Sequence, residues 1–127
     1  MAQGTARGGV PSARIAAYKV CFNRCNDVDI LAAFDDAIAD GVDVISISIS
    51  ADYVSNLLNA SVAIGSFHAM MRGIITAGSA GNNGPDQGSV ANVSPWMITV
   101  AASGTDRQFI DRVVLGNGKA LTVHFLI

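Results

Sequence analysis

Asn82 stands in the run Ser79-Ala80-Gly81-Asn82-Asn83-Gly84-Pro85, directly after the apolar stretch Gly73-Ile74-Ile75-Thr76-Ala77-Gly78. The apolar stretch reads as a buried strand, so the polar run falls at a strand end. A side-chain amide held there between glycines is a hydrogen-bond donor with open space beside it. An oxyanion hole needs that chemistry: a donor aimed at developing negative charge, with small neighbours that let a substrate backbone approach. Asn82 is the candidate catalytic residue, as a donor and not as an attacking group. A Gly/Asn/Pro cluster is also the signature of a turn, in which an Asn binds its own backbone.

Other reactive residue types are few. His68 and Ser66 lie in one helical pattern, but a nucleophile and base also need an orienting carboxylate, and the spacing implies none. His124 falls near the C-terminus, far along the chain. The glycines around Asn82 resemble a dinucleotide loop only on the surface. That loop requires a helix opening at once, whereas Pro85-Asp86-Gln87-Gly88 follows here. Cys21 and Cys25 are the only cysteines; with two, a zinc site would need distant histidines, so no metal and no cofactor is expected. They suit either a short-loop disulfide in an oxidising compartment or two half-buried thiols. Asn59-Ala60-Ser61 and Asn92-Val93-Ser94 match the glycosylation acceptor pattern, the second weakened by Pro95.

The elements that would position Asn82 follow from periodicity. Residues 14–20 read as a strand. Asp27 is the expected cap of a helix reaching Asp40, with Leu31, Phe34 and Ile38 on one face and Gly41 as its left-handed stop. Residues 42–49 alternate Ile with Ser and read as a strand. A second helix is expected over 60–72, with Val62, Phe67 and Met70 or Met71 facing the core and Gly73 ending it. Strands over 74–78 and 96–102 follow, then an Asn117-Gly118 hairpin joining 112–114 to 120–123. Strand–helix–strand–helix–strand order predicts α/β architecture, a parallel sheet with flanking helices that ends in a β-hairpin. Sites in such sheets form beyond the carboxyl ends of the strands, where residues 48–50 and 80–82 fall.

Four blocks in order make the chain resemble the plant, cucumisin-type branch of the subtilisin-like serine proteases. They are Gly4-Thr5-Ala6-Arg7-Gly8-Gly9-Val10-Pro11, the strand over 14–21, Asp29-Ile30-Leu31-Ala32-Ala33-Phe34-Asp35-Asp36-Ala37-Ile38, and the run from Ser79 to Pro85 continuing through Ser94-Pro95-Trp96. The likeness extends from about residue 4 to 119. It implies a partial subtilisin-like fold with Asn82 as the oxyanion donor. It also implies that Ser48, Ile49 and Ser50 pair with an extended polypeptide substrate, with Ala80 and Gly81 forming the opposite pocket wall. Ser50 stands where the family pattern has Gly. The family's Asp, His and Ser triad segments fall outside the matched region, so residues 1–127 are expected to be a partial catalytic domain, inactive alone. The family is extracellular, and the first residues here lack the apolar core of a secretory signal.

Composition agrees with a part of a larger α/β protein. The chain is 50% hydrophobic and 14% charged, high for an independent domain of 127 residues and suited to a sheet covered by other elements. A net charge of −2 offers no basic patch, which argues against nucleic-acid binding. No apolar run reaches the length of a membrane span, so no membrane partner is expected. The leading expectation is a truncated serine endopeptidase. The alternative is a non-enzymatic interaction protein or gene-fragment product that self-associates through unpaired strands.

Overall fold

The computed structural model describes residues 5, 7–50, 56–104 and 110–124. Its elements are α1 (Asp27–Asp40), β1 (Val44–Ile47), α2 (Ser61–Met71), β2 (Ile75–Ser79), β3 (Ile98–Val100), β4 (Ile110–Val114) and β5 (Ala120–His124). Strands β1, β2 and β3 form a parallel sheet in that order, and β4 pairs with β5 as an antiparallel hairpin. The α/β architecture expected from the order of apolar patterns is therefore present.

Helix α1 starts at the expected cap residue, Asp27, so the cap itself falls one residue earlier. Asn26 is the cap, in extended conformation, but its side-chain amide binds Asp29 at 3.0 Å and leaves the helix N–H groups alone. Asp27 instead accepts a 2.7 Å hydrogen bond from the Ser61 hydroxyl, tying the first turn of α1 to the first turn of α2. Asp27 and Asp29 in the first turn also suit the positive end of the helix dipole. Gly41 ends the helix at φ 70°, as its position suggests.

The core lies between the two helices and one face of the sheet. Ile30 and Phe34 of α1 and Val62 of α2 form its centre, with Ile45, Ile47, Ile49, Val20 and Met97 packed against them. Helix α2 turns a face of small residues inward: Ser61, Val62, Ala63, Gly65, Ser66 and Ala69 are buried. Phe67, Met70 and Met71, expected as core contacts, are exposed. The reason is steric. An ideal Cβ at Gly65 would lie 2.3 Å from a ring carbon of Phe34, so α2 rests directly on that ring and has no room for long side chains there. Phe67 stacks edge-on against Trp96 instead, with ring centroids 5.2 Å apart.

Register shows what the other sheet face carries. Ile45 opposes Thr76 and Ile47 opposes Gly78 on the helix side, which leaves Val44, Ile75, Ile98 and Val100 pointing away. These four are 54–58% exposed. Parallel sheets are normally covered on both faces, so this one is half-dressed among the described residues.

The expected strand over 14–20 does not form. Ile15 is 91% exposed, and no described segment shares a backbone ladder with these residues. A strand exists only by pairing, so an extended, strand-like sequence without a neighbour stays unladdered. Two side chains still anchor it. Val20 packs on the core, and the Tyr18 hydroxyl donates to Asp40 at 2.7 Å. That hydrogen bond, with burial and the nearby Asp40 and Asp36 charges, raises the Tyr18 pKa above its ordinary value. Beyond Val20, the structure resolves the choice left open for the cysteines: Cys21 and Cys25 are disulfide-bonded.

The Gly65 contact can be tested by urea unfolding. Gly65→Ala should cost about 1–3 kcal/mol through overpacking. Phe34→Leu combined with it should recover part of that loss; strictly additive costs would mean the two residues do not touch.

Candidate functional site

The parallel strands run out together at one end of the sheet. The β1–β2 ladder ends at the pair Ile47 and Gly78, while β2 continues beside β3 to the pair Ser79 and Val100. Past Ile47 the two strand ends therefore part. The gap is a cleft of about 410 Å³, lined by Ser46 to Ser48 from β1, Ala77 to Asn82 from β2 and Val100 to Ala102 beyond β3. Its position, outside the carboxyl ends of parallel strands, is where open α/β sheets place their ligands.

Four of the six residues singled out in the sequence line this cleft: Ser48, Ala80, Gly81 and Asn82. Ala80 is locked in place by its main chain, which donates to the Val100 carbonyl at 2.9 Å and accepts from the Ala91 N–H at 2.8 Å. Gly81 has φ 83°, and a Cβ there would meet both Ala91 and Ser50 at 3.4 Å, so only glycine fits without strain. Asn82 is exposed at the cleft rim, and among the described residues its side-chain amide has no hydrogen-bond partner. The turn reading, in which that amide would bind its own backbone, is not what the geometry shows.

Ile49 and Ser50 stand apart from the lining. The Ile49 side chain packs on the core, and its carbonyl is already occupied. Ser50 sits against Gly81 and closes the gap between the two segments.

Asn92, which the sequence marked only as a glycosylation acceptor, proves to organise the cleft. Its side-chain amide donates to the Ile49 carbonyl at 2.8 Å and to the Ser79 carbonyl at 2.9 Å. Both of its hydrogens are thus spent on joining the parted ends of β1 and β2, where no ladder bond remains. Its own carbonyl accepts from the Thr99 hydroxyl, which holds the residue against β3. Asn92 has φ 53°, a conformation Asn tolerates better than most residues. The only local signal was its residue type; the carbonyls it serves lie 43 and 13 positions away.

The lining is made of Ser, Ile, Ala, Gly, Asn and Val, so it carries no ionisable group. Such a cleft can hold a polar backbone and donate hydrogen bonds, but it has no general base of its own. His68 lies exposed on α2, its described neighbour being the Phe67 ring, with centroids 6.2 Å apart. Among the described residues neither a hydroxyl nor a carboxylate is hydrogen-bonded to His68, and the His124 side chain lies outside them. Nor do the described residues group three side chains able to hold a metal ion.

Substitution of Asn92 tests its bridging role. Asn92→Asp should destabilise by about 2–4 kcal/mol at neutral pH, because a carboxylate cannot donate and faces two carbonyl oxygens. Asn92→Gly, which keeps the backbone conformation without any donor, should cost less. Urea midpoints in the reverse order would exclude the bridge as the stabilising contact.

The chain is similar in sequence and in fold to known proteins. The subtilase family model matches residues 1–118. Subtilisin-like protease SBT4.3 of Arabidopsis thaliana is 99% identical over 122 residues, covering 96% of this chain and 17% of that protein. Subtilisin-like protease SBT4.8 of the same plant is 60% identical over 119 residues, again 17% of its length. Among solved structures, the S41 psychrophilic protease superposes with a TM-score of 0.58 at 25% identity, covering 93% of this chain and 37% of that one. The chain thus spans about one sixth of the curated relatives it matches. Its sheet, its cleft and a family match over most of its length agree: the chain belongs to the subtilase family.

Proposed function

We propose that this chain supplies the oxyanion donor and part of the substrate cleft of a serine endopeptidase, as a portion of one catalytic domain. The carrying observation is the Asn82 amide, without a partner among the described residues, at the rim of a neutral cleft lined by Ser48, Ala80 and Gly81. When a peptide carbonyl is attacked, its oxygen becomes an anion, and a donor already positioned beside it needs no reorganisation. With the Ile49 carbonyl turned to Asn92, an extended backbone would present the main-chain groups of Ser48 and Ser50 to the opposite side. A polypeptide substrate would pair there as an added strand.

Among the described residues no hydroxyl is hydrogen-bonded to His68, so they offer a donor for the intermediate without a nucleophile–base pair to form it. Incubation with unstructured peptides should give no turnover, and a serine-reactive phosphonate should label no residue. Single-site labelling would overturn this reading. In the full-length protease, Asn82→Ala should lower kcat with little change in KM. The expected loss, about 3–4 kcal/mol, is the value known for this donor in a protease of the same family and is not an independent estimate. An unchanged kcat would remove Asn82 from the mechanism.

The extracellular location that goes with the family is supported by the Cys21–Cys25 disulfide, because such bonds persist in oxidising compartments. No helix among the described residues is long and apolar enough to cross a membrane.

A second reading, self-association without catalysis, is favoured by the bare sheet face of Val44, Ile75, Ile98 and Val100. The outer edges of β1 and β3, which pair with no described strand, add to it. Sizing with light scattering should then show dimers or larger species at micromolar concentration; a monomer with sharp unfolding would exclude it.

A further inference from the structure

We propose that Asn59 is an N-glycosylation site and that Asn92, with the same acceptor pattern, is not. Asn59-Ala60-Ser61 lies where a turn meets α2. Asn59 is exposed, and among the described residues its side-chain amide has no partner; only its main-chain N–H is engaged, with the Asn56 carbonyl at 3.0 Å. Ala60 between acceptor and hydroxyl residue is extended, at φ −79° and ψ 122°.

The chemistry separates the two asparagines. In the transfer, the amide nitrogen displaces the pyrophosphate from the anomeric carbon of a lipid-pyrophosphate-linked oligosaccharide. A C–N bond forms, the anomeric C–O bond breaks, the lipid pyrophosphate leaves and one amide proton is lost. The nitrogen keeps a single hydrogen. At Asn59 that costs no contact. At Asn92 both hydrogens are committed, to the Ile49 and Ser79 carbonyls, so one bridge between β1 and β2 would go. The sugar would also have to leave from a half-buried nitrogen between two strands, whereas the Asn59 amide is exposed; the hydroxyl residues do not separate the two sites, Ser61 and Ser94 being 4% and 3% exposed. A glycan on Asn92 would therefore oppose this fold.

The inference rests on passage through an oxidising secretory compartment, as proposed above, and the test imposes that route so the two can fail separately. The 127-residue chain, behind a cleavable secretion leader, is translated with endoplasmic-reticulum microsomes and also secreted from cultured plant cells. Gel mobility before and after endoglycosidase counts the glycans, and mass spectrometry of peptides locates them. One glycan is expected on the secreted protein; in both arms modification at Asn59 is abolished by Asn59→Gln and by Ser61→Ala and unaffected by Ser94→Ala. The microsomal arm reads modification without requiring a stable fold. Absence of any glycan, a glycan persisting on secreted Asn59→Gln, or occupancy of Asn92 in the secreted protein would overturn the proposal.

Discussion

Two hydrogen bonds from one side chain hold the cleft together. Parallel strands stay joined only where their ladders run, and the β1–β2 ladder ends at Ile47 and Gly78. Beyond it the Ile49 and Ser79 carbonyls would face each other without donors, an arrangement that is costly when shielded from water. The Asn92 amide supplies both missing hydrogens and so lets the strand ends part without coming undone. The opening it keeps is the cleft at whose rim Asn82 stands. Reactive geometry and stability share this residue, since a wider separation would exceed the reach of one amide and a closer one would shut the cleft.

Around that bridge, small residues set the spacing. Gly65 lets α2 lie on Phe34, and the place of a side chain at Gly78 is taken by the Met97 methyl group. Gly81 lets the loop after β2 pass Ser50 and Ala91 in a left-handed conformation. Each is a point where backbone comes close to a neighbour. The high small-residue content of this chain is thus tied to the narrowness of its packing. The opposite face of the sheet, with Val44, Ile75, Ile98 and Val100 uncovered, is equally apolar and has no described layer against it. A half-covered parallel sheet fits a unit meant to be enclosed by further structure, in keeping with the one-sixth coverage of its relatives.

Legibility in the sequence followed the range of the forces involved. The body of α1 and its Gly41 stop, the Ile/Ser alternation of β1 and the Asn117-Gly118 hairpin are local patterns, and all three were readable. Capping was less so: Asn26 and Asp27 are both good caps by type, and the choice was settled by Ser61, a residue 34 positions away that draws Asp27 aside. The segment over 14–20 has the composition of a strand and none of the pairing. The α2 face was misjudged because Phe67 and the two methionines look like core, whereas the space beside Phe34 admits only glycine and its small neighbours.

By itself the sequence determined the order of helices and strands from α1 onward, and it placed the run around Asn82 at a strand end. These depend on periodicity, turn chemistry and the motif around Asn82, all properties of adjacent residues. Only the tertiary structure decided that the Asn82 amide has no partner among the described residues, that Ile49 belongs to the core and not to the cleft lining, and that Asn92 is the bridge. Hydrogen bonds between segments 13 and 43 positions apart leave no periodic trace. They come into being when three strand ends meet, and no reading of neighbours along the chain contains that meeting.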